Sequence, residues 1–307
     1  MSAILDRWAF PAAMALVAIN LRPALAAMGP LLDVIEHDTG LSDSGASLLT
    51  SLPVALMGGG LLATGWIKRW LGAHRGVAMG VMLIGCACVA RWLWPGALAL
   101  LATAALSGLG IAMVQALMPA IIRQRGGQRS AGLMGLYSTA IMGGALMAST
   151  VAPWVERGWG WATALGVWSV PAVIGVIAWS GCPQAPGQGP SFAALAVHRQ
   201  PRGWLLLAFF GLGTGAYTLV LAWLPPFYLQ LGWSATASGA MLGVVTLAEV
   251  VAGIGVSLWI DRLPDRRPAL FLALGASLAG LACLIWAPLA LAWPAGVLAL
   301  ARCSPCR

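Results

Sequence analysis

Charged residues are scarce in this sequence: they make up 8% of its 307 residues, whereas 60% are hydrophobic. A soluble domain carries about 25% charged residues. Histidine and tyrosine are also rare, with three of each. So few charges, together with a mean hydropathy of +0.87, exclude an ordinary water-soluble domain. The composition predicts an all-α membrane protein with several spans in the lipid bilayer, because a helix satisfies its own backbone hydrogen bonds in lipid.

Motifs of catalysis and of nucleotide or metal binding are missing as well. The sequence contains no HExxH, no GxSxG, no P-loop and no cluster of His, Cys and Asp. Cys303 and Cys306 form a CxxC without a second pair, and this disfavours a zinc site. We therefore expect no enzyme activity, no cofactor and no metal. Since an ATP-binding domain is also missing, any coupled transport would use an ion gradient.

The apolar runs have the length that a membrane span requires, roughly 20 residues. We expect each run to be helical, and the glycines within the runs favour close helix packing. The predicted spans are about 8–32, 45–67, 76–95, 97–122, 131–153, 160–180, 203–229, 236–260 and 269–287, with a short tenth at about 289–301.

Basic residues fall mainly in one set of loops. With the N-terminus in the cytoplasm, twelve Lys and Arg residues lie on the cytoplasmic side, whereas Arg157 and Arg91 lie on the other. This positive-inside distribution explains the net charge of +8 without a nucleic-acid partner. It predicts a multi-pass protein of the plasma (inner) membrane with a cytoplasmic N-terminus. We expect Arg91 to snorkel outward; a second intramembrane charge is the alternative.

Tryptophan and histidine residues concentrate near the predicted span ends and in the loops. His37, His74 and His198 fall in loops, where we expect them to be solvated. Tryptophans at span ends are typical of the aromatic belts at the two membrane surfaces. The residues assigned to these belts are Trp66, Trp70, Trp92, Trp94, Trp154, Trp159 and Trp161.

The chain carries a weak internal repeat on either side of a Pro- and Gly-rich segment, 181–202. A shift of 192 residues places GLSDSGAS at 40–47 on GWSATASG at 232–239, and it carries Arg75 onto Arg267 without a gap. Parallel repeats joined by a cytoplasmic linker are one plan of secondary transporters. The predicted domains are an N-terminal six-helix half (1–180), a cytoplasmic linker (181–202) and an incomplete C-terminal half (203–307).

The loop after the second span resembles the GxxxDRxGRR motif of the major facilitator superfamily. Residues 65–75 read GWIKRWLGAHR, with Arg69 at the acidic position, and residues 257–267 read SLWIDRLPDRR. In that family the loop forms a conformational latch that helps to set the inward–outward equilibrium, and the Arg69 departure weakens this role in the first half. The residues that the resemblance assigns to the latch are Gly72, Arg75, Asp261 and Arg262.

Five further segments resemble the cyanate and 2-nitroimidazole transporter branch of that superfamily. The resemblance implies a major facilitator-type two-repeat helical bundle with about nine to ten of twelve expected spans present. We expect the protein to be a monomer. It implies alternating-access transport of a small anion or nitrogen compound. The segments are LRP (21–23), GLSDSGASLLTSLPV (40–54), QALMPAIIR (115–123), GLYSTAIMGG (135–144) and YTLVLAWLPPFYLQLGWS (217–234).

The C-terminal residues ARCSPCR do not resemble a helix end, and we expect a truncated or frameshifted reading frame. Two alternatives to an active transporter therefore stay open at this point. One is a non-functional transporter fragment, and the other is a membrane sensor built on a transporter scaffold.

Arg22 lies in the middle of the first span, where a charge costs about 2.5–3.5 kcal/mol on insertion scales. We expect it to face a polar cavity and bind a negatively polarised substrate; a structural pair with a carbonyl or with another helix is the alternative. Pro23, which follows it, frees a backbone carbonyl one turn earlier. Four other residues are candidate substrate contacts, with packing as their alternative: Gln115, Tyr137, Tyr217 and Trp223.

Glu249 lies near the middle of the eighth predicted span. Burial raises the pKa of a carboxyl group, and a neutral glutamate can carry a proton. We predict proton coupling at Glu249, with protons as the partner ion. The alternatives are a counter-charge to Arg22 and a protonated side chain bonded to a neighbouring helix.

Overall fold

The structure, a computed structural model, describes residues 2–62, 69–182 and 267–286, together with separate residues between 201 and 255. Those separate residues are 201, 204, 205, 208, 224, 227, 228, 230–233, 241, 244, 245, 247, 248, 250–252, 254 and 255. The chain divides into two compact units, Met1–Ala185 and Pro186–Arg307, and the boundary falls within the predicted linker. Regular structure in the described part is helical throughout, as predicted.

The described part of the first unit contains eight helices with defined bounds, and residues 69–71 are helical as well. The eight helices are α1 (Ser2–Ile19), α2 (Pro23–Ala26), α3 (Leu32–Thr39), α4 (Asp43–Leu62), α5 (Ala73–Leu93), α6 (Ala97–Gly126), α7 (Ser130–Gly166) and α8 (Ser169–Ser180). Short 3-10 turns occupy Gly29–Leu31 and Gly127–Arg129, and α9 (Arg267–Trp286) belongs to the second unit.

Three described helical stretches are long and apolar enough to cross a membrane: Trp8–Leu31, Ala73–Leu93 and Ala97–Ser180. The last comprises α6, α7 and α8. Large apolar side chains on their outer surfaces, such as Leu98 and Ile177, are exposed and suited to contact lipid. The number of spans stays a prediction.

The first predicted span is not one continuous helix. Pro23 has no N–H to donate to the Ile19 carbonyl, four residues earlier. The N–H groups of Asn20 and Leu21 bond to carbonyls only three residues back, at 3.1 Å each. The helix therefore tightens and ends, and α2 restarts the chain after Arg22.

The boundary between the fifth and sixth predicted spans also differs. The expected loop at 154–159 is helical and belongs to α7. The chain changes direction at Gly160, whose φ of 80° and ψ of 162° are not helical. Glycine adopts this region readily because it lacks a Cβ.

Helix α6 lies against both α4 and α5. Small residues allow this packing: a Cβ on Gly108 would lie 2.7 Å from Pro53 Cα in α4. Likewise, a Cβ on Gly80 of α5 would lie 2.7 Å from the Gly110 carbonyl oxygen of α6. Close backbone approach at small residues is the typical means by which helices associate in membranes.

Two repeat-related glycines adopt a similar backbone conformation. Gly40 ends α3 with a φ of 65°, and Gly232, its partner under the 192-residue shift, has a φ of 87°. The same shift carries α5 onto 265–285, where the structure has α9 at Arg267–Trp286. The division into two repeated halves stays a prediction.

Candidate functional site

The interruption of the first helix places Arg22 at the N-terminal end of α2. Its backbone carbonyl accepts hydrogen bonds from the N–H groups of Leu25 and Ala26, at 3.0 and 2.8 Å. The Arg22 side chain is half-buried, with its Nε enclosed by protein. Since a guanidinium stays protonated in proteins, the half-buried Arg22 brings a positive charge to this break in the apolar helix.

Helix α7 packs closely against this interruption. Gly144 lies directly beside the Ile19 carbonyl, the group that Pro23 cannot bond, and a Cβ there would overlap the carbonyl oxygen. The Ile19 carbon atoms Cα and C would lie 3.1 and 2.9 Å from that Cβ. The missing side chain of Gly144 thus lets α7 approach the interrupted backbone closely.

Asn20 connects the interruption to α8. Its Nδ2 donates to the carbonyls of Leu16 and Pro171, at 2.7 and 2.9 Å, and its side chain is buried. Gly175 leaves room for this amide, because a Cβ there would lie 3.1 Å from Nδ2. The amide therefore fixes the end of α1 against α8.

Arg91 is a second cation near the interruption, and the prediction that it snorkels outward is wrong. Its side chain is fully buried. Nη1 donates to the Ala24 carbonyl at 2.8 Å, Nε to Thr103 Oγ1 at 3.1 Å, and Nη2 to Ser107 Oγ at 3.4 Å. The side chain turns inward because these acceptors on α2 and α6 satisfy the guanidinium within the protein.

The acceptors of Arg91 are themselves held in place. The Thr103 hydroxyl lies within hydrogen-bonding distance of the Ala99 and Leu100 carbonyls, and the Ser107 hydroxyl donates to Ala104. No carboxylate among the described side chains forms an ion pair with Arg91. A sequence signal did exist, because the hydroxyls of residues 103 and 107 are four apart on one face of α6.

Two predicted substrate contacts fall on neighbouring helices of the first unit. Tyr137 is buried in α7, and Gln115 is half-buried in α6. Next to Tyr137, the hydroxyls of Ser138 and Thr139 are buried without a hydrogen-bond partner among the described residues. Most buried polar groups are bonded, so these two hydroxyls mark α7 as a place where a polar solute or water can bind.

The remaining predicted site residues divide between the latch and the second unit. Gly72 has a φ of 75° and a ψ of 161° just before α5, and Arg75 is exposed one turn into that helix. Their role as a latch stays a prediction. The other five lie outside the described residues: Tyr217, Trp223, Glu249, Asp261 and Arg262.

The prediction that His74 lies in a loop is wrong, and its side chain is half-buried rather than fully solvated. Helix α5 begins at Ala73, slightly earlier than predicted, so His74 lies in the helix and stacks on Trp179 with ring centroids 4.9 Å apart. The Trp179 indole N–H donates to the His74 carbonyl at 2.9 Å. Arg125 caps the same end of the bundle, 4.8 Å above the Phe10 ring, which itself contacts Trp179.

Trp161 is also misassigned by the belt prediction. Its side chain is buried, and its Nε1 donates to Asp38 Oδ2 at 2.9 Å. The turn at Gly160 precedes the indole, which reaches the C-terminal end of α3. Trp92 and Trp94 are exposed at the end of α5, and Trp154 and Trp159 are exposed in α7 before the turn at Gly160. Their place in the aromatic belts stays a prediction. Trp70 is exposed as well, whereas Trp66 lies outside the described residues.

Three known proteins are similar to this chain in sequence. The cyanate transport protein CynX of Escherichia coli (strain K12) is 39% identical over 282 residues, which are 91% of this chain and 73% of that protein. The 2-nitroimidazole transporter of the same organism is 27% identical, with 86% and 68% covered. The uncharacterized transporter YycB of Bacillus subtilis (strain 168) is 24% identical, with 82% and 63% covered.

Solved structures share the fold at low sequence identity. The proton:xylose symporter XylE bound to 6-bromo-6-deoxy-D-glucose has a TM-score of 0.75 at 15% identity, covering 97% of this chain and 80% of that one. FucP in the outward conformation has a TM-score of 0.72 at 14% identity, covering 95% and 82%. Residues 9–304 match the sequence profile of the Major Facilitator Superfamily. The chain therefore belongs to the major facilitator superfamily of membrane transporters.

Proposed function

We propose that this protein is a secondary transporter for a small anion or a small nitrogen compound, with cyanate as the first candidate. It works as a monomer in the plasma (inner) membrane, with a cytoplasmic N-terminus, by alternating access. The observation that carries the proposal is the pair of arginines at the interrupted first helix, of which Arg91 bonds Ala24, two residues from Arg22. The 39% identity to a cyanate transport protein supports the same substrate class.

The electrostatics of the interruption favour a negatively polarised solute. At an effective dielectric constant of 20, an anion about 4 Å from a guanidinium gains about 4 kcal/mol, from which its desolvation must be subtracted. No described carboxylate forms an ion pair with Arg91 that would cancel its charge. A planar guanidinium also offers paired donors, which suit cyanate and the oxygens of a nitro group alike.

The proposed substrate contacts are Arg22, Gln115 and Tyr137 from the first unit and Tyr217 and Trp223 from the second. The buried hydroxyls of Ser138 and Thr139, adjacent to Tyr137, support a polar site on this part of α7. In this scheme Arg22 supplies the charge, and the amide and phenol orient the solute.

Coupling and switching are assigned to residues other than the proposed substrate contacts. We propose Glu249 as the proton-coupling group, since a carboxyl group within a span is protonated or paired. The latch comprises Gly72, Arg75, Asp261 and Arg262. The conformation of Gly72 supports a tight turn at this loop.

Uptake of radiolabelled cyanate in cells that express this chain tests the proposal. We expect uptake above the empty vector, and we expect Arg22→Ala to abolish it at equal membrane abundance. Thr150→Ala is the control, since its exposed hydroxyl bonds carbonyls of its own helix, α7. A labelled 2-nitroimidazole in parallel assigns the substrate within the class.

Two results would count against the proposal. Equal uptake by the wild-type chain and by Arg22→Ala would remove the anion site. Thermal stabilisation of the purified protein by cyanate without any uptake would favour the sensor alternative over a transporter.

A further inference from the structure

We infer that Arg91 is a positioning residue, which holds α2 in place and thereby sets where the Arg22 guanidinium lies. The inference rests on the proposed role of Arg22 in substrate binding. Arg91 acts through the backbone of the interruption and makes no contact with the solute itself.

The contact with Ala24 takes the place of a missing helical hydrogen bond. The Met28 N–H bonds to Leu25, at 3.2 Å, instead of bonding four residues back to Ala24. The Ala24 carbonyl is thus one of the groups that a helix end leaves without a backbone donor. Nη1 of Arg91 donates to it at 2.8 Å, from a different helix.

The short length of α2 transmits this restraint to Arg22. The helix has four residues, Pro23–Ala26, so a restraint on one end fixes the other. Arg22 occupies the residue before it, and its carbonyl bonds Leu25 and Ala26. A shift of α2 away from Arg91 therefore moves the backbone that carries the Arg22 side chain.

The geometry requires arginine rather than any cation. Nε, Nη1 and Nη2 reach three acceptors, of which Ala24 lies on α2 and Thr103 and Ser107 lie on α6. The planar guanidinium presents these donors in a fixed fork, whereas a lysine ammonium is a point charge with no such spread. The same side chain thus ties α2, α5 and α6 together at one point.

The test compares Arg91→Lys, which keeps the charge, with variants at its acceptor Thr103. We expect Arg91→Lys to raise the KM for cyanate about tenfold, or about 1.4 kcal/mol, with the maximal rate at equal abundance changed much less. Thr103→Val removes the acceptor for Nε and should raise KM in the same direction. Thr103→Ser keeps the hydroxyl, and its KM should therefore equal that of the wild-type chain.

Ile84→Ala is the matched control for lost packing. Ile84 is buried on the same helix as Arg91 and lies beside α6, near Gly110. Its truncation should lower thermal stability and abundance without changing KM. The double variant Arg22→Lys/Arg91→Lys should have no higher KM than Arg22→Lys alone, because Arg91 affects substrate binding only through the position of Arg22.

Hydrogen–deuterium exchange in detergent gives a readout that is independent of transport. We expect Arg91→Lys to increase exchange in peptides that cover 20–31 more than Ile84→Ala does. Equal exchange in that segment for wild type and Arg91→Lys overturns the inference, whether or not cyanate is transported. If Arg22→Lys changes KM and Arg91→Lys does not, the role of Arg91 falls while the proposed function stands. If Arg22 variants leave uptake unchanged, both fall.

Discussion

At the scale of single residues, polar side chains and a closely packed glycine on other helices surround the interruption of the first helix. Asn20 bonds α8, Arg91 bonds the Ala24 carbonyl, and Gly144 leaves space for the Ile19 carbonyl. A backbone group without a partner in lipid costs several kcal/mol. The polar and small residues around the break therefore make the interruption tolerable in a membrane.

Gly144→Ala should destabilise the protein, because its Cβ would meet the backbone of Ile19. Overpacking of this kind costs about 1–3 kcal/mol. Gly143→Ala is the matched control, since its Cβ would have no neighbour within 4 Å. Alanine favours a helix over glycine by about 1 kcal/mol, so the control should be neutral or stabilising. Thermal unfolding in detergent measures both, and an equal response would contradict the close approach of α7.

At the scale of elements, glycines decide where helices begin. Gly72 precedes α5, and Gly96 precedes α6. Of these two glycines, only Gly72 has a positive φ. Its φ of 75° and ψ of 161° lie in a region that is essentially restricted to glycine. The helix start that carries Arg75 therefore depends on this one residue type.

Gly72→Ala should lower the free energy of unfolding by about 1–3 kcal/mol through backbone strain. Gly96→Ala should cost less than about 1 kcal/mol, since Gly96 has an ordinary φ of −131° and its Cβ would meet nothing within 4 Å. Thermal unfolding of the two variants in the same detergent compares them. If Gly96→Ala is the more harmful change, the strain argument is wrong.

At the scale of the whole molecule, the distribution of basic residues predicts orientation. The loop around Gly127 lies between Arg125 and Arg129 and should be cytoplasmic, whereas Gly158 follows Glu156 and Arg157 and should lie outside. Both glycines are exposed. They are therefore accessible points at which to mark the two sides of the membrane.

Fusions of alkaline phosphatase and of green fluorescent protein after Gly127 and Gly158 test this orientation. We expect fluorescence without phosphatase activity at Gly127 and the opposite at Gly158, because each reporter matures on one side of the membrane only. The reporter that is active at a given site shows that the chain is expressed up to that site, and it is therefore the control for the inactive one. Phosphatase activity at Gly127 would show that the predicted orientation is inverted.

The sequence by itself determined the class, the helical fold and the family. These follow from quantities that are sums or patterns along the chain, such as the low charge, the apolar runs and the motifs. The place of the break in the first helix was also accessible, since Pro23 cannot donate to Ile19 whatever surrounds it.

Only the tertiary structure decided which polar groups meet. Arg91, His74 and Trp161 all read as surface residues from their position in the chain, but Arg91 and Trp161 are buried and His74 stacks on the buried Trp179. A hydropathy pattern gives the depth of a residue along its own helix, but not the acceptors on its neighbours. Arg91 turns inward because α2 leaves the Ala24 carbonyl unbonded and α6 offers two hydroxyls, and that coincidence exists only after the helices pack.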